Sequence, residues 1–494
     1  MKGKLKHIAQ TKSIFLFLLP IFFILHGFIE FYNLIPVKDS VVFIGFYELV
    51  AILLTGLCFL LFKNIYKSAL FSFLLLTYYF FFGAAQDWLK DHFAGLFFTR
   101  YSFILPVTAI VFIILFIVLR KNKKTFSRLT LYLNLLFVIL LVTEIVRLSF
   151  KITNTSLRNE SSVKNFIDCP DCPKPDIYYI LADEYAGRKE LNELLNFDNS
   201  AFEKELGKRG FHIIEPSLSN YNYTLFSSPS ILNMDYIHNI EGYNRSTHDK
   251  RICNEVMKNN ATMSFFKQQG YQIYNYSYFD IQDQPTLAIS SLLSPKLRPI
   301  TSQTFFSRLK KDLWYHVIID LKLGSAKRSS IYSTKKNNEL FIKLTKQVAA
   351  TPSLNPKFVY THILMPHFPY YYDKDGHEID FEYLGDESDS RTDLYLGYLQ
   401  YANSVYLDLI DTIKKNSHHP YIIMFMSDHG FKSFPHDAHP EYHCYNFNSI
   451  FLPDSNYASF YNGISNVNMF RVLLNSQFKQ KLPLLKDSIS IVRD

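Results

Sequence analysis

Three short stretches of this chain end in residue types that bind metal ions. "YIIMFMSDHG" (Tyr421–Gly430) is apolar up to Met426 and then presents Asp428 and His429. "DIYYILADEYAG" (Asp176–Gly187) does the same with Asp183 and Glu184, and "FVYTHILMPHFPY" (Phe358–Tyr370) with His362 and His367. Carboxylates and imidazoles are ligands for divalent cations. A cation held by them polarises a phosphoryl or sulfuryl oxygen and helps to deprotonate a hydroxyl. The stretch "SNYNYTLFSSPSILNMDY" (Ser219–Tyr236) supplies candidate hydroxyls in Thr224, Ser227 and Ser228. With Pro229 in a first turn, it predicts a helix from Ser227 onward, whose free N–H groups favour an anionic group. Each string also has an ordinary reading, as a helix start, a turn or a cap. Their joint presence points to one site.

The elements that must position these residues follow from the pattern. Ile177–Ala182, the run before His362 and Tyr421–Met426 are short, apolar and β-prone, as buried strands are. "DLYLGYLQYANSVYLDLIDTIKK" (Asp393–Lys415) repeats Leu394, Tyr398, Tyr401, Val405 and Leu409 at helical spacing. Strands alternating with helices predict an α/β sandwich with a mostly parallel sheet. In such sheets ligands bind beyond the carboxyl ends of the strands. The segment "PHDAHPEYHCYNF" (Pro435–Phe447) adds His436, His439 and His443 as further ligands or headgroup contacts.

The first 150 residues differ from the rest. Apolar stretches at 13–33, 41–62, 69–85, 103–119 and 129–150 each approach the ~20 residues a helix needs to cross a bilayer. Residues 1–150 carry 15 Lys and Arg against 6 Asp and Glu, and the remainder 37 against 38. The basic balance therefore belongs to the apolar part and gives no reason to expect nucleic acid. Three loops, 1–12, 63–67 and 120–128, hold 11 basic and no acidic residues. Such loops stay cytoplasmic, so five spans put the N-terminus inside and everything after Phe150 outside. The expected organisation is a five-helix transmembrane domain (1–150), a polar, Pro-containing linker (151–175) and an extracytoplasmic catalytic domain (176–494). The five Cys are too few for a disulfide framework. "CPDC" (Cys169–Cys172) lacks the second pair a metal site needs and reads as a local disulfide or two free thiols.

The motifs "YYILADEYAG", "YTLFSSPSILN", "HILMPHFPY" and "SDHG" resemble those of the alkaline-phosphatase/sulfatase superfamily, in its membrane-anchored branch of lipoteichoic acid synthases and phosphoethanolamine transferases. The resemblance implies an alkaline-phosphatase-like fold. It makes Asp183 the first acidic metal ligand, Glu184 the second, and Asp428 and His429 the paired ligands on the late strand. It makes Thr224 the nucleophile and His367 a contact of the transferred group, with His362 assisting. The sulfatase signature requires Arg where Ile231 stands, which argues against an oxidised Ser227, although Ser227 remains the alternative nucleophile.

The resulting expectation is a metal-dependent transferase of the cytoplasmic (inner) membrane. It moves phosphoethanolamine or phosphoglycerol from a membrane lipid donor to an envelope glycan or lipid, through a covalent phospho-threonine. The implied cofactor is one divalent ion, Mn²⁺ or Zn²⁺ ahead of Mg²⁺ or Ca²⁺. The rival readings are a sulfatase or phosphodiesterase of the same fold, and a non-catalytic membrane scaffold or glycan-binding protein.

Overall fold

The computed structural model describes residues 10–32, 35, 37–93, 95–124, 126–154, 166–240, 242, 246–288, 298–309, 324–385, 388–433 and 438–493. The chain divides into two compact units. One comprises Met1–Arg158 with Ser290–Ser325, the other Asn159–Ile289 with Ala326–Asp494.

The first unit is built on α1 (Phe15–Glu30), α2 (Val37–Phe62), α3 (Ile65–His92), α4 (Tyr101–Lys121) and α5 (Ser127–Asn154). Asn64 starts α3, its side chain accepting the N–H groups of Tyr66 and Lys67 at 3.1 and 3.2 Å. The helices pack through aromatic contacts such as Phe23 on Phe80, with centroids 4.4 Å apart. They leave large apolar side chains outside, including Leu53 and Ile139. Among the described residues four helices, α2 to α5, are long and apolar enough to cross a membrane. The first of the five expected spans, α1, is an apolar helix of 16 residues, shorter than the ~20 that a perpendicular span requires.

Part of the expected catalytic domain belongs to this unit. The described residues 298–309 cluster with the apolar helices. Ile300 joins the helical core, Gly83 N–H donates to Gln303 O at 2.8 Å, and Phe305 packs edge-on against Phe82. Gly27 and Gly83 make the approach possible. A Cβ on Gly83 would stand 2.6 Å from Gln303 O, and one on Gly27 2.8 Å from Ile300 Cγ1.

The second unit is a three-layer α/β/α sandwich. Its six strands are β1 (Asp176–Ala182), β2 (His212–Ile214), β3 (Gln272–Tyr276), β4 (Lys357–Ile363), β5 (Tyr421–Ser427) and β6 (Asn448–Phe451), in the order β2-β6-β5-β1-β4-β3. The β3–β4, β4–β1 and β1–β5 pairs are parallel, while β6 and β2 add an antiparallel edge. The sheet is therefore mixed around a parallel centre. Side chains alternate across a strand, and β1 divides accordingly. Tyr178, Ile180 and Ala182 enter one core, together with Tyr395, Tyr398 and Leu409 of helix α6 (Thr392–Asn416). Ile177, Tyr179 and Leu181 enter the other, with Ile231 of α7 (Thr224–Asn233, earlier in the chain) and Phe470 of α8 (Asn466–Gln477). Cys169 and Cys172 form a disulfide ahead of β1, and Cys58, Cys253 and Cys444 are free and buried.

Candidate active site and metal centre

Register brings the strand ends level. Ala182 pairs with Ser427 across β1–β5, and Leu181 with His362 across β1–β4. Asp183 and Asp428 are the next residues of their strands. The two-residue period then selects among them. Asp183, His362 and Asp428 share the parity of Leu181, Tyr360 and Met426, which face the second core. Glu184 has the parity of Ala182 and faces the other way.

The side chains meet as that period requires. Asp183, His362 and Asp428 each offer a ligand atom, all within 4.8 Å of one another and all buried. His362 Nε2 lies 3.0 Å from Asp183 Oδ2. Asp428 Oδ1 accepts the N–H groups of Glu184 and His429 at 3.1 and 2.9 Å. Among the described residues Asp428 Oδ2 is buried without a hydrogen-bond donor, 3.4 Å from His429 Nε2. His429 Nδ1 lies 2.7 Å from the Gly430 carbonyl, so it carries the proton and Nε2 keeps its lone pair. Burial and the Lys432 charge push the His429 pKa down to about 4, which keeps the ring neutral. An orphaned buried carboxylate oxygen, a second carboxylate and the unprotonated His429 Nε2 fit a divalent cation. Asp183, Asp428, His429 and His362 are the residues that would hold it.

Charges within this group oppose one another. Burial raises the Asp183 carboxyl, but His367, His362 and His429 outweigh it and hold the group below the usual carboxylate range. Burial and the neighbouring Asp183 charge push Asp428 upward. Two carboxylates this close share a site poorly without a cation between them.

Thr224 sits at the edge of the group. Its Oγ1 is 3.1 Å from His429 Nε2 and 3.4 Å from both Asp183 oxygens. The helix expected from Ser227 begins three residues earlier, because the Tyr223 carbonyl already accepts the N–H groups of Phe226 and Ser227. Thr224 is therefore its first residue and Pro229 lies inside it. Ser227 is fully buried, and its hydroxyl donates to the Asp428 carbonyl at 2.6 Å. It braces the end of β5.

Glu184 is not brought to the carboxylate group. Its backbone turns at φ +61°, Oε1 accepts the Lys432 N–H at 3.0 Å, and Oε2 lies 3.6 Å from His367 Nε2. Burial pulls the His367 pKa down, yet Glu184 and Asp183 hold it above the ordinary value. His443 supports the β5 turn, with Nδ1 2.9 Å from the Phe431 carbonyl. His439 is exposed, 3.7 Å from Glu441, and His436 lies outside the described residues.

Sequence reasoning missed several supports. Asn466 donates to the Ser427 and Asp428 carbonyls at 3.0 and 3.2 Å, and Tyr395 OH to the Glu184 carbonyl at 2.9 Å. Glu190 lies under the turn, where a Cβ on Gly430 would stand 2.3 Å from its Oε2. That proximity explains the glycine of "DHG". None of these carries a local signal except the glycine.

Comparison with known proteins gives the family. The sulfatase family model matches residues 201–480, more than half of the chain. No curated protein matches. Solved structures that match include the periplasmic domain of phosphoethanolamine transferase EptC from Campylobacter jejuni, at 14% identity, covering 64% of this chain and 92% of that one with a TM-score of 0.38. The zinc complex of the Escherichia coli EptC periplasmic domain matches at 14% identity, with 63% and 85% coverage and a TM-score of 0.40. A phosphonate monoester hydrolase from Silicibacter pomeroyi matches at 13%, with 64% and 75% coverage and a TM-score of 0.39.

Proposed function

The chain belongs to the sulfatase family, within the alkaline-phosphatase/sulfatase superfamily, and from that premise we propose that it is a metal-dependent membrane transferase. It moves a phospho-alcohol, phosphoethanolamine or phosphoglycerol, from a lipid donor to an envelope glycan or lipid. The observation that carries this reading is the Thr224 hydroxyl, 3.1 Å from His429 Nε2 beside two buried carboxylates. An unmodified threonine is thus presented where a cation would lie. The competing hydroxyl of Ser227 is engaged by the Asp428 carbonyl. Ile231, where a formylglycine signature needs Arg, is a core residue. Both features favour Thr224 over an oxidised serine and transfer over sulfate ester hydrolysis. The apolar helices keep the enzyme with a lipid donor, with the N-terminus inside and the second unit outside.

When bound, a divalent cation, Mn²⁺ or Zn²⁺ ahead of Mg²⁺ or Ca²⁺, supplies Lewis-acid polarisation of the phosphoryl oxygen. The side chains do the rest. Thr224 Oγ1 forms a bond to the donor phosphorus as the bond from phosphorus to the diacylglycerol oxygen breaks. The Thr224 proton is released to water. His367, held protonated by Glu184 and Asp183, gives its proton to the leaving oxygen. In the second half the acceptor hydroxyl attacks phosphorus and its proton returns to His367, while Thr224 leaves and takes a proton from water. Covalent catalysis divides one difficult displacement into two.

The test is a trapped intermediate. Full-length protein incubated with donor lipid and quenched should yield a peptide carrying a phospho-alcohol on Thr224, and Thr224→Ala should lose turnover while keeping its metal. An adduct or a formylglycine at Ser227 would overturn the assignment and move the activity to hydrolysis.

A further inference from the structure

One cation beside this site has no role in the mechanism above. Lys432 stands three residues after His429, and its main chain is fixed on both sides. Its N–H donates to Glu184 Oε1 at 3.0 Å. The preceding Phe431 is fully buried and stacks on Tyr395 with centroids 4.1 Å apart. The side chain then runs over the ring of Tyr223, with Nζ 4.5 Å from the centroid, a cation–π distance. Tyr223 is the residue directly before Thr224. The ammonium is therefore seated against the turn that presents the nucleophile.

The ordinary reading makes Lys432 a counter-ion for Glu184. The distances give that reading little to work with. Nζ is 4.0 Å from Glu184 Oε1, beyond hydrogen-bond length, and that oxygen already accepts the Lys432 backbone N–H. Among the described residues Nζ donates no hydrogen bond, although lysine has three donors there. The side chain is 25% exposed, so those donors open onto the site rather than into the core. Burial lowers the Lys432 pKa, but Glu184, Asp183, Tyr223 and Asp428 outweigh it and keep the group charged.

We propose that Lys432 is a further catalytic residue, whose Nζ binds a non-bridging oxygen of the phosphodiester as Thr224 attacks. A phosphodiester brings one negative charge, and the developing transition state spreads more of it over the non-bridging oxygens. An ammonium fixed by a ring face and a pinned main chain meets that charge without reorganising. The assignment rests on the phosphoryl-transfer reading, and it makes a singly charged diester the substrate form the site accepts.

The experiment uses the full-length, metal-loaded protein in detergent micelles, with bis(p-nitrophenyl) phosphate as turnover probe and inorganic phosphate as a ligand measured by calorimetry. Lys432→Ala should lower kcat/KM about 100-fold and weaken phosphate binding about tenfold or more, with metal content and thermal midpoint unchanged. Lys432→Arg should recover most of both. The thermal midpoint separates the roles: removing a mere counter-ion would leave the buried Glu184 carboxylate without its cation and lower the midpoint, whereas loss of a phosphodiester contact leaves it in place. A lowered midpoint accompanying the loss of turnover, or a Lys432→Ala protein within threefold of wild type in both measurements, would overturn the proposal. A wild type that binds phosphate but turns over no phosphodiester would overturn the transferase reading, and the phosphate measurement would still decide Lys432.

Discussion

Both units bury charged and polar side chains, and the acids Glu144 and Asp428 show two different outcomes. In the helical unit, Glu144 is buried in α5 and fully engaged. His26 Nδ1 lies 2.8 Å from Oε1, and Arg147 donates to both oxygens at 2.9 and 3.0 Å while also pairing with Glu30. Asn134 likewise accepts from Phe15 N–H and donates to the Lys12 carbonyl. These groups fasten α1 to α5. In the sheet unit, Asp428 Oδ2 has no donor among the described residues. A buried polar group with every valence filled holds helices together; one with a valence left open is poised for a ligand. Apolar residues show the same contrast. They fill two cores in the sheet unit but line the outside of the helices, where lipid and not water is the solvent.

The sharpest way to break this contrast is to remove one acid from each unit. Asp428→Ala should abolish metal retention and lower turnover by at least about 10³-fold, measured by elemental analysis and kinetics on the same sample. Glu144→Ala should leave turnover per folded molecule within a few-fold. It should cost about 2–3 kcal/mol of stability in detergent, less than a fully buried pair because His26 and Arg147 are 43% and 44% exposed. Equal activity losses in the two variants would erase the distinction.

Glu190 sharpens the comparison through pH. Burial, and then the charge of Glu184, raise its carboxyl well above the usual range against a backbone hydrogen bond from Phe431. In the unfolded chain Glu190 ionises near its ordinary pKa, so above that pH the unfolded state has released a proton that the folded state still holds. The stabilisation is complete below the unfolded pKa and is lost as pH rises toward the folded one. Wild-type thermal midpoints should fall across that window, and Glu190→Gln should flatten the slope. An unchanged slope would show that Glu190 is ionised in the fold.

The sequence made the strand ends legible because acid and histidine after an apolar run are unusual there. It expected Glu184 beside Asp183 and gave His362 an assisting role, whereas the structure groups His362 with Asp183 and Asp428. Counting alternate residues from Leu181 and Tyr360 would have placed Asp183, His362 and Asp428 on one face and Glu184 on the other. The face of Asp393–Lys415 was read one residue off at several positions. Leu394, Tyr401 and Val405 are only partly buried, while Tyr395, Ala402 and Tyr406 are buried, because tyrosines fill this core as readily as leucine. The docking of 298–309 on the helices was not legible at all. It depends on close approach at Gly27 and Gly83, and nothing in a lone glycine identifies the backbone that will meet it.

The smallest effect concerns the disulfide, and it tests which side of the membrane the sheet unit occupies. Cys169 and Cys172 are bonded, while Cys58, Cys253 and Cys444 are free. Disulfides persist outside the cytoplasm and are reduced within it. Cells quenched in acid, denatured and alkylated should therefore show three modified thiols before reduction and five after. Five before reduction would place the sheet unit in the cytoplasm and overturn the inward N-terminus that the basic loops imply. The stabilisation itself should be modest. The bond closes a loop of very few residues, so little chain entropy is removed, about 2 kcal/mol at most. Cys169→Ser with Cys172→Ser should therefore lower the thermal midpoint slightly and leave turnover unchanged, since neither sulfur takes part in the group around Asp183.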